Sequence, residues 1–264
     1  MSTIRAVVVD PAAHDRLAFR DVAAPTPAPN EALVRLAALS LNRGEVRRIG
    51  MAAAGWRPGW DVAGTVEQAA ADGSGPKAGT RVVGLLPVAA WAELLAIPTE
   101  SLAALPDEVS FAQAATLPVA GLTALYVVEQ GGSLLDRNVL ITGASGGVGQ
   151  FAVQIAHIAG ARITALVHQE RHAAAAKEAG AGRVLVSGDG SEAAEFGPYD
   201  LIAESVGGAT LGNVMAMIAP GGPRSNASRP AGASTACTVP PKNGRPPPSM
   251  WRRRLGVSAS GMAA

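Results

Sequence analysis

A buried strand, a glycine-rich turn and an amphipathic helix follow one another between residues 138 and 159. The strand is predicted over Asn138–Thr142 and the helix over Gly147–Ala159. The turn and the first helical residues are Ala144, Ser145, Gly146, Gly147, Val148 and Gly149. Small residues let the backbone approach a pyrophosphate closely, and the helix N-terminus offers free N–H groups to that anion. The order therefore predicts a dinucleotide site, with an ordinary strand–helix turn as the alternative.

The rest of the pattern divides the chain into a β-rich part and an α/β part. Short runs with strand character, separated by proline and glycine turns, are Ile4–Val9, Glu31–Leu41, Trp60–Gln68, Thr80–Leu86 and Trp91–Ile97. They predict a small barrel or sandwich over residues 1–117. Further strands are predicted at Arg162–Val167, Arg183–Val186 and Tyr199–Ser205, and helices at Glu170–Ala179 and Leu211–Ala219. Alternating strands and helices predict an α/β fold with a doubly wound parallel sheet over residues 118–222.

The end of the second strand in this sheet bears on the choice of nucleotide. A carboxylate there would accept hydrogen bonds from the adenosine ribose and favour NAD(H). This chain has His168 and Arg171 near that point, and arginine is well suited to a 2′-phosphate. The residues favour NADP(H) over NAD(H), although Glu170 keeps NAD(H) open and Arg171 could simply be a solvated helix residue.

The tyrosines exclude one class of nucleotide-dependent enzyme. The glycine pattern also fits short-chain dehydrogenases, which need a Tyr-x-x-x-Lys pair. The chain has only Tyr126 and Tyr199, and the residues four positions further on are Gln130 and Ala203. Without a lysine at either position, that class is excluded.

Five motifs follow one another along the chain, namely Leu39–Asn42, Gly59–Val66, Ala115–Ala124, Ile141–Gly149 and Glu204–Gly208. Together they resemble the medium-chain dehydrogenase/reductase superfamily. Their order is similar to the zinc-free quinone oxidoreductase and enoyl reductase branch. The resemblance implies an N-terminal GroES-like β-barrel domain followed by a Rossmann nucleotide domain.

The same resemblance bears on zinc. Zinc alcohol dehydrogenases of the superfamily bind the catalytic metal through Cys, His and a Cys or an acid. Here Ser40 lies in the first-ligand region, and Trp60 stands at the histidine position beside Asp61. Because thiolate and imidazole ligands are missing there, no metal site is expected.

The resemblance further implies hydride transfer from NADPH to a small-molecule electron acceptor, a quinone or an α,β-unsaturated carbonyl. Asn42 and Thr123 would border the nicotinamide and its ribose, and Ser205 and Val206 would lie beneath the ring. Asn42 could instead act as the N-cap of a helix over residues 43–49, and Thr123 could bond its own helix carbonyl.

No catalytic acid is identified from the sequence. Trp56 is a candidate for lining the substrate cleft, but its indole N–H has no useful acidity. Trp56 and Trp60 could equally be packing aromatics. The proton would then come from water or a ribose hydroxyl.

Charge is distributed unevenly along the chain. All 21 acidic residues lie within residues 1–222, whereas residues 223–264 carry seven Lys and Arg and no acid. This proline-rich tail is predicted to be disordered, with a basic nucleic-acid or membrane arm as the weaker alternative. The nucleotide sheet is then expected to stop after about four strands, leaving an edge unpaired. An inactive truncated homologue that at most binds NADP(H) therefore stays open beside the enzyme.

Partners and compartment are expected from the same observations. No signal peptide and no membrane-spanning run is visible, and one cysteine, Cys237, excludes an intramolecular disulfide. A cytoplasmic protein is expected, with no nucleic-acid or membrane partner. The family commonly forms homodimers, but through an edge strand that this sequence does not show.

Overall fold

The computed structural model describes residues 2–221 and the backbone of a short strand at Arg224–Asn226. These residues form two units, with the boundary between Pro118 and Val119. The sequence prediction placed this boundary after residue 117. The predicted basic tail, residues 223–264, lies outside the described residues apart from the short strand.

The first unit is built on antiparallel strands. They are β1 (Thr3–Val9), β2 (Leu17–Ala23), β3 (Glu31–Ala38), β4 (Asp61–Gln68), β5 (Arg81–Leu85), β6 (Leu94–Pro98) and β7 (Leu102–Ala104). Strands β1 and β2 form a hairpin, and the other five form a sheet in the order β6-β3-β4-β5-β7. Alternate residues point inward, so Val34, Val62 and Ile97 are fully buried in one core. Two helices accompany the sheet, α1 (Arg43–Met51) and α2 (Phe111–Ala115).

Two strands of this unit were not predicted. Among the described strands, β2 pairs only with β1, and it is mostly exposed. Its polar residues Arg20 and Asp21 interrupt the apolar alternation from which a strand is predicted. Strand β7 has only three residues. A capping box starts α2, because the Gln113 N–H donates to Ser110 Oγ at 3.2 Å and the Ser110 N–H donates to Gln113 Oε1 at 3.0 Å.

The second unit is the predicted parallel sheet with helices. Its strands are β8 (Asn138–Ile141), β9 (Arg162–Val167), β10 (Arg183–Val186), β11 (Leu201–Glu204) and β12 (Arg224–Asn226), in the order β10-β9-β8-β11-β12. Its helices are α3 (Leu122–Glu129), α4 (Gly147–Ile158), α5 (Ala173–Glu178) and α6 (Gly208–Met215). The α4 helix packs over Val139, Ile141 and Ile163, which are buried in the same core.

The structure differs from the predicted pattern at three places in this unit. The helix predicted over residues 170–179 begins as a 3₁₀ turn, Glu170–His172, before α5. The helix predicted over Leu211–Ala219 starts earlier, at Gly208, and ends earlier, at Met215. The sheet continues into a fifth strand, because β12 pairs in parallel with Ile202–Glu204 of β11. The sequence of β12 is polar and shows no alternating pattern of apolar residues. Pairing between strand backbones does not require such a pattern.

Candidate functional site: the carboxyl edge of the parallel sheet

The glycine-rich turn joins β8 to α4 at the carboxyl edge of the sheet. Gly146 is the extended N-cap residue, and the Gln150 N–H donates to its carbonyl at 2.9 Å. Helix geometry therefore leaves the N–H groups of Gly147, Val148 and Gly149 at the open end of α4. The predicted order of strand, turn and helix is confirmed.

The turn is too tight for a side chain at its last glycine. A Cβ on Gly149 would lie 2.2 Å from the Gly143 carbonyl oxygen and 2.7 Å from Ala144 Cα. The Ala144 N–H also donates to the Leu166 carbonyl of β9 at 3.1 Å, which ties the turn to the neighbouring strand. The backbone is thus held close to the helix end, which is the geometry that a pyrophosphate needs.

A second loop follows β11 and lies beside the glycine-rich turn. The Ser205 N–H donates to Thr142 Oγ1 at 3.0 Å, and Ser205 Oγ donates to the Thr142 carbonyl at 3.1 Å. The predicted residues Ser205 and Val206 therefore lie next to the turn, and Val206 is exposed. The two loops meet because β8 and β11 are parallel neighbours in the sheet.

Sequence reasoning missed the role of Glu204, which is fully buried at the end of β11. Its Oε1 accepts hydrogen bonds from the Val206 N–H at 2.6 Å, the Gly207 N–H at 2.7 Å and Thr142 Oγ1 at 3.2 Å. The sequence contains one sign of this role, which is an acidic residue at the end of an otherwise apolar strand.

His168 and Arg171 lie at the end of β9, and both are exposed. Arg171 is in the 3₁₀ turn, where its Nε contacts His172 Nε2 at 3.3 Å. Glu170 is exposed in the same turn. The arrangement offers two potential cations and one carboxylate at the edge of the sheet, so the choice between NADP(H) and NAD(H) stays a prediction.

In the first unit, Asn42 is held by two buried carboxyl groups. Its Nδ2 donates to Asp61 Oδ2 at 2.7 Å, and its backbone N–H donates to Glu45 Oε2 at 2.6 Å. Ser40 Oγ also hydrogen-bonds Asp61. Asn42 is the N-cap residue of α1, which confirms the alternative interpretation of this residue as a helix N-cap. Its contact with a nicotinamide stays a prediction.

Glu45 and Asp61 are both inaccessible to solvent. Burial raises the pKa of Glu45 above its ordinary value, and the nearby Asp61 charge raises it further. The hydrogen bonds from Asn42 oppose this rise in pKa without cancelling it.

The zinc-ligand positions of the superfamily hold a hydroxyl, an indole and a carboxylate in this chain. The Trp60 ring packs so closely over Gly44, at the start of α1, that a Cβ added to this glycine would lie 2.6 Å from the ring. The Asp61 carboxylate already accepts hydrogen bonds from Ser40 and Asn42. This donor set does not fit catalytic zinc, which takes thiolate and imidazole ligands. Within residues 2–221, no group of three His, Cys, Asp or Glu side chains is arranged to hold a metal.

Trp56 and Thr123 are the remaining predicted residues. Trp56 packs against Val9, Ile49 and Trp91, and the Arg48 guanidinium lies 5.8 Å from the centre of its ring. Its interpretation as a packing aromatic is confirmed, and its contact with substrate stays a prediction. Thr123 is half-buried at the second residue of α3, and its role stays a prediction too.

Comparison with known proteins gives matches for both units. A model of the alcohol dehydrogenase GroES-like domain matches residues 28–107, and a zinc-binding dehydrogenase model matches residues 147–242. The second match extends to residue 242, into the residues that the sequence analysis assigned to the basic tail. The chain is 41% identical to the chloroplast envelope quinone oxidoreductase homolog of Arabidopsis thaliana, over 54% of this chain and 49% of that protein.

Two solved structures share the fold. The quinone oxidoreductase of Pseudomonas syringae pv. tomato DC3000 has a TM-score of 0.74 at 28% identity, covering 84% of this chain and 75% of that one. The CurK enoyl reductase has a TM-score of 0.77 at 26% identity, covering 86% of this chain and 74% of that one. The chain spans about half the length of the curated relatives it matches first.

A GroES-like unit followed by a parallel sheet with a glycine-rich turn defines a two-unit α/β protein with a dehydrogenase-type fold. The chain belongs to the medium-chain dehydrogenase/reductase superfamily, in its quinone oxidoreductase-like branch. In the part of the chain that the structure describes, no helix is long and apolar enough to cross a membrane. Relatives named as chloroplastic and mitochondrial leave the cytoplasmic expectation a prediction.

Proposed function

We propose that the chain is an NADPH-dependent oxidoreductase that transfers hydride to a quinone or an α,β-unsaturated carbonyl without zinc. The observation that carries the proposal is the open first turn of α4, with Gly149 against the Gly143 carbonyl at the carboxyl edge of the sheet. Relatives named quinone oxidoreductase and enoyl reductase support this class of acceptor.

The cofactor would be held by residues of the second unit. The free N–H groups of Gly147, Val148 and Gly149 fit a pyrophosphate, because they point out of a helix N-terminus. His168 and Arg171 are exposed at the end of β9 and fit a 2′-phosphate, which supports NADP(H) over NAD(H).

Asn42, Thr123, Ser205 and Val206 are proposed to contact the nicotinamide half, on the strength of the family resemblance. The bound nicotinamide supplies the hydride, and the protein supplies position. The Asn42 carboxamide donates to Asp61 through Nδ2, and Oδ1 is its hydrogen-bond acceptor. The family model carries zinc in its description, but the Ser40, Trp60 and Asp61 set supports a metal-independent reaction.

Proton delivery is proposed to come from solvent. Glu45 has a raised pKa and could hold a proton, but it is inaccessible to solvent and its Oε2 accepts the Asn42 N–H. A reduced quinone can take protons from water, so no protein acid is required.

The test is the oxidation of NADPH by the purified chain, followed by absorbance, with a benzoquinone and an enone as acceptors. Turnover that persists after treatment with a zinc chelator would support the proposal. Turnover lost with the chelator and restored by zinc would contradict metal independence. Tight NADPH binding without turnover of either acceptor would favour a nucleotide-binding homologue instead.

A further inference from the structure

Glu204 is a buried carboxylate that accepts hydrogen bonds from two backbone N–H groups and one hydroxyl at the edge of the parallel sheet. It is 1% exposed, and its Oε1 accepts the N–H groups of Val206 and Gly207 at 2.6 and 2.7 Å. Charge-assisted bonds of this length are stronger than neutral ones. The carboxylate therefore fixes the backbone of the loop that follows its own strand.

Thr142 connects this loop to the glycine-rich turn. Its hydroxyl donates to Glu204 Oε1 at 3.2 Å and accepts the Ser205 N–H at 3.0 Å. The next residue, Gly143, has a positive φ of 58°, and a Cβ there would lie 2.8 Å from Ser205 Oγ and 3.2 Å from Val206 Cγ2. The two loops are thus in direct contact and share one hydrogen-bond network.

We propose that Glu204 is a positioning residue that holds the 205–207 loop against the glycine-rich turn, so that the nicotinamide half of a dinucleotide meets a preformed surface. This inference rests on the proposed function, because it takes the 205–207 loop to be the nicotinamide side. A preformed loop avoids the entropy cost of ordering on binding. The adenylate half, which would lie toward β9, should not depend on Glu204.

The first test measures amide hydrogen exchange in the protein without nucleotide. In the wild type, the Val206 and Gly207 N–H groups should be protected by the Glu204 carboxylate. Glu204→Ala should remove this protection, and Glu204→Gln should retain it, because the amide oxygen can still accept both bonds. Equal protection in all three proteins would overturn the inference, whatever the cofactor turns out to be.

The second test compares the Kd values of NADPH and 2′,5′-ADP, an analogue of the adenylate half. Glu204→Ala should weaken NADPH binding about tenfold or more, because two backbone donors lose their acceptor and the loop is released. Binding of 2′,5′-ADP should stay within about twofold, which also shows that the variant is folded. Glu204→Gln should restore NADPH binding to within about threefold of the wild type.

Two further variants keep the inference testable if Glu204→Ala does not fold. Thr142→Val removes the hydroxyl that connects Glu204 to Ser205, and Thr142→Ser keeps it. The valine variant should show the same selective loss of NADPH binding, and the serine variant should not. An equal loss of NADPH and 2′,5′-ADP binding, or no loss of either, would overturn the inference while leaving the proposed function intact. Failure of the wild type to bind NADPH would instead refute the proposed function.

Discussion

Replacement of Gly149 by alanine tests the tight turn most directly. The new Cβ would lie 2.2 Å from the Gly143 oxygen, 2.8 Å from the Gly143 carbonyl carbon and 2.7 Å from Ala144 Cα. All three are backbone atoms, so none can move away by a side-chain rotation. Either the turn opens or α4 shifts away from β8.

Overpacking of this kind costs about 1–3 kcal/mol of the free energy of unfolding. For a protein of this size, each kcal/mol lowers the thermal midpoint by about 2–4 °C, so a decrease of about 2–12 °C is expected. Because the displaced residues are those that fit the pyrophosphate, NADPH affinity should fall by at least about tenfold, or about 1.4 kcal/mol.

Gly188→Ala is the matched control for Gly149→Ala. Gly188 lies in the same unit, and a Cβ there would meet no atom within 4 Å. Its thermal midpoint and NADPH affinity should equal those of the wild type. The reasoning would be refuted if Gly149→Ala bound NADPH as tightly as Gly188→Ala, with the same midpoint.

Three other predictions concern the nucleotide edge and the buried acids. Arg171→Ala should weaken NADPH binding by about 1 kcal/mol or more and leave NADH binding unchanged, and equal effects in calorimetry would remove Arg171 from phosphate recognition. Asp61→Leu should lower stability by about 3 kcal/mol in urea unfolding, since Ser40 and Asn42 both lose an acceptor, and an unchanged midpoint would contradict this. Because the pKa of Glu45 is raised, the native state binds the Glu45 proton more tightly than the unfolded state does. This contribution to stability is fully present below pH 4.5 and is lost as the pH rises through the pKa of the folded state. Glu45→Gln should therefore flatten this part of the stability profile, and an unaltered profile would exclude Glu45 as its source.

The parts of the fold with long, regular patterns could be predicted from the sequence. Strand β8 and helix α4 have a continuous apolar run, then small residues, then helical periodicity, and their bounds agree closely with the structure. Strand β2 could not be predicted, because an exposed hairpin strand has no buried face to impose alternation. Strand β12 could not be predicted either, because its three residues are polar and its position in the sheet follows from pairing with β11.

The candidate site was predictable where it depends on local sequence and not where it depends on pairs distant in sequence. The glycine-rich turn is local, so its residues could be identified directly. The contact between Thr142 and Glu204 joins residues 62 positions apart, and only the pairing of β8 with β11 brings them together. The packing of Trp60 on Gly44 likewise requires the fold to be known.

A calorimetric titration of the purified protein with NADPH, with NADH as the comparison, measures whether the glycine-rich turn and the end of β9 form an NADP(H) site. The proposed function predicts one site per chain that binds NADPH more tightly than NADH, and a thermal midpoint that rises with NADPH concentration. No heat of binding with either nucleotide, from a protein that unfolds cooperatively, would contradict the proposed function.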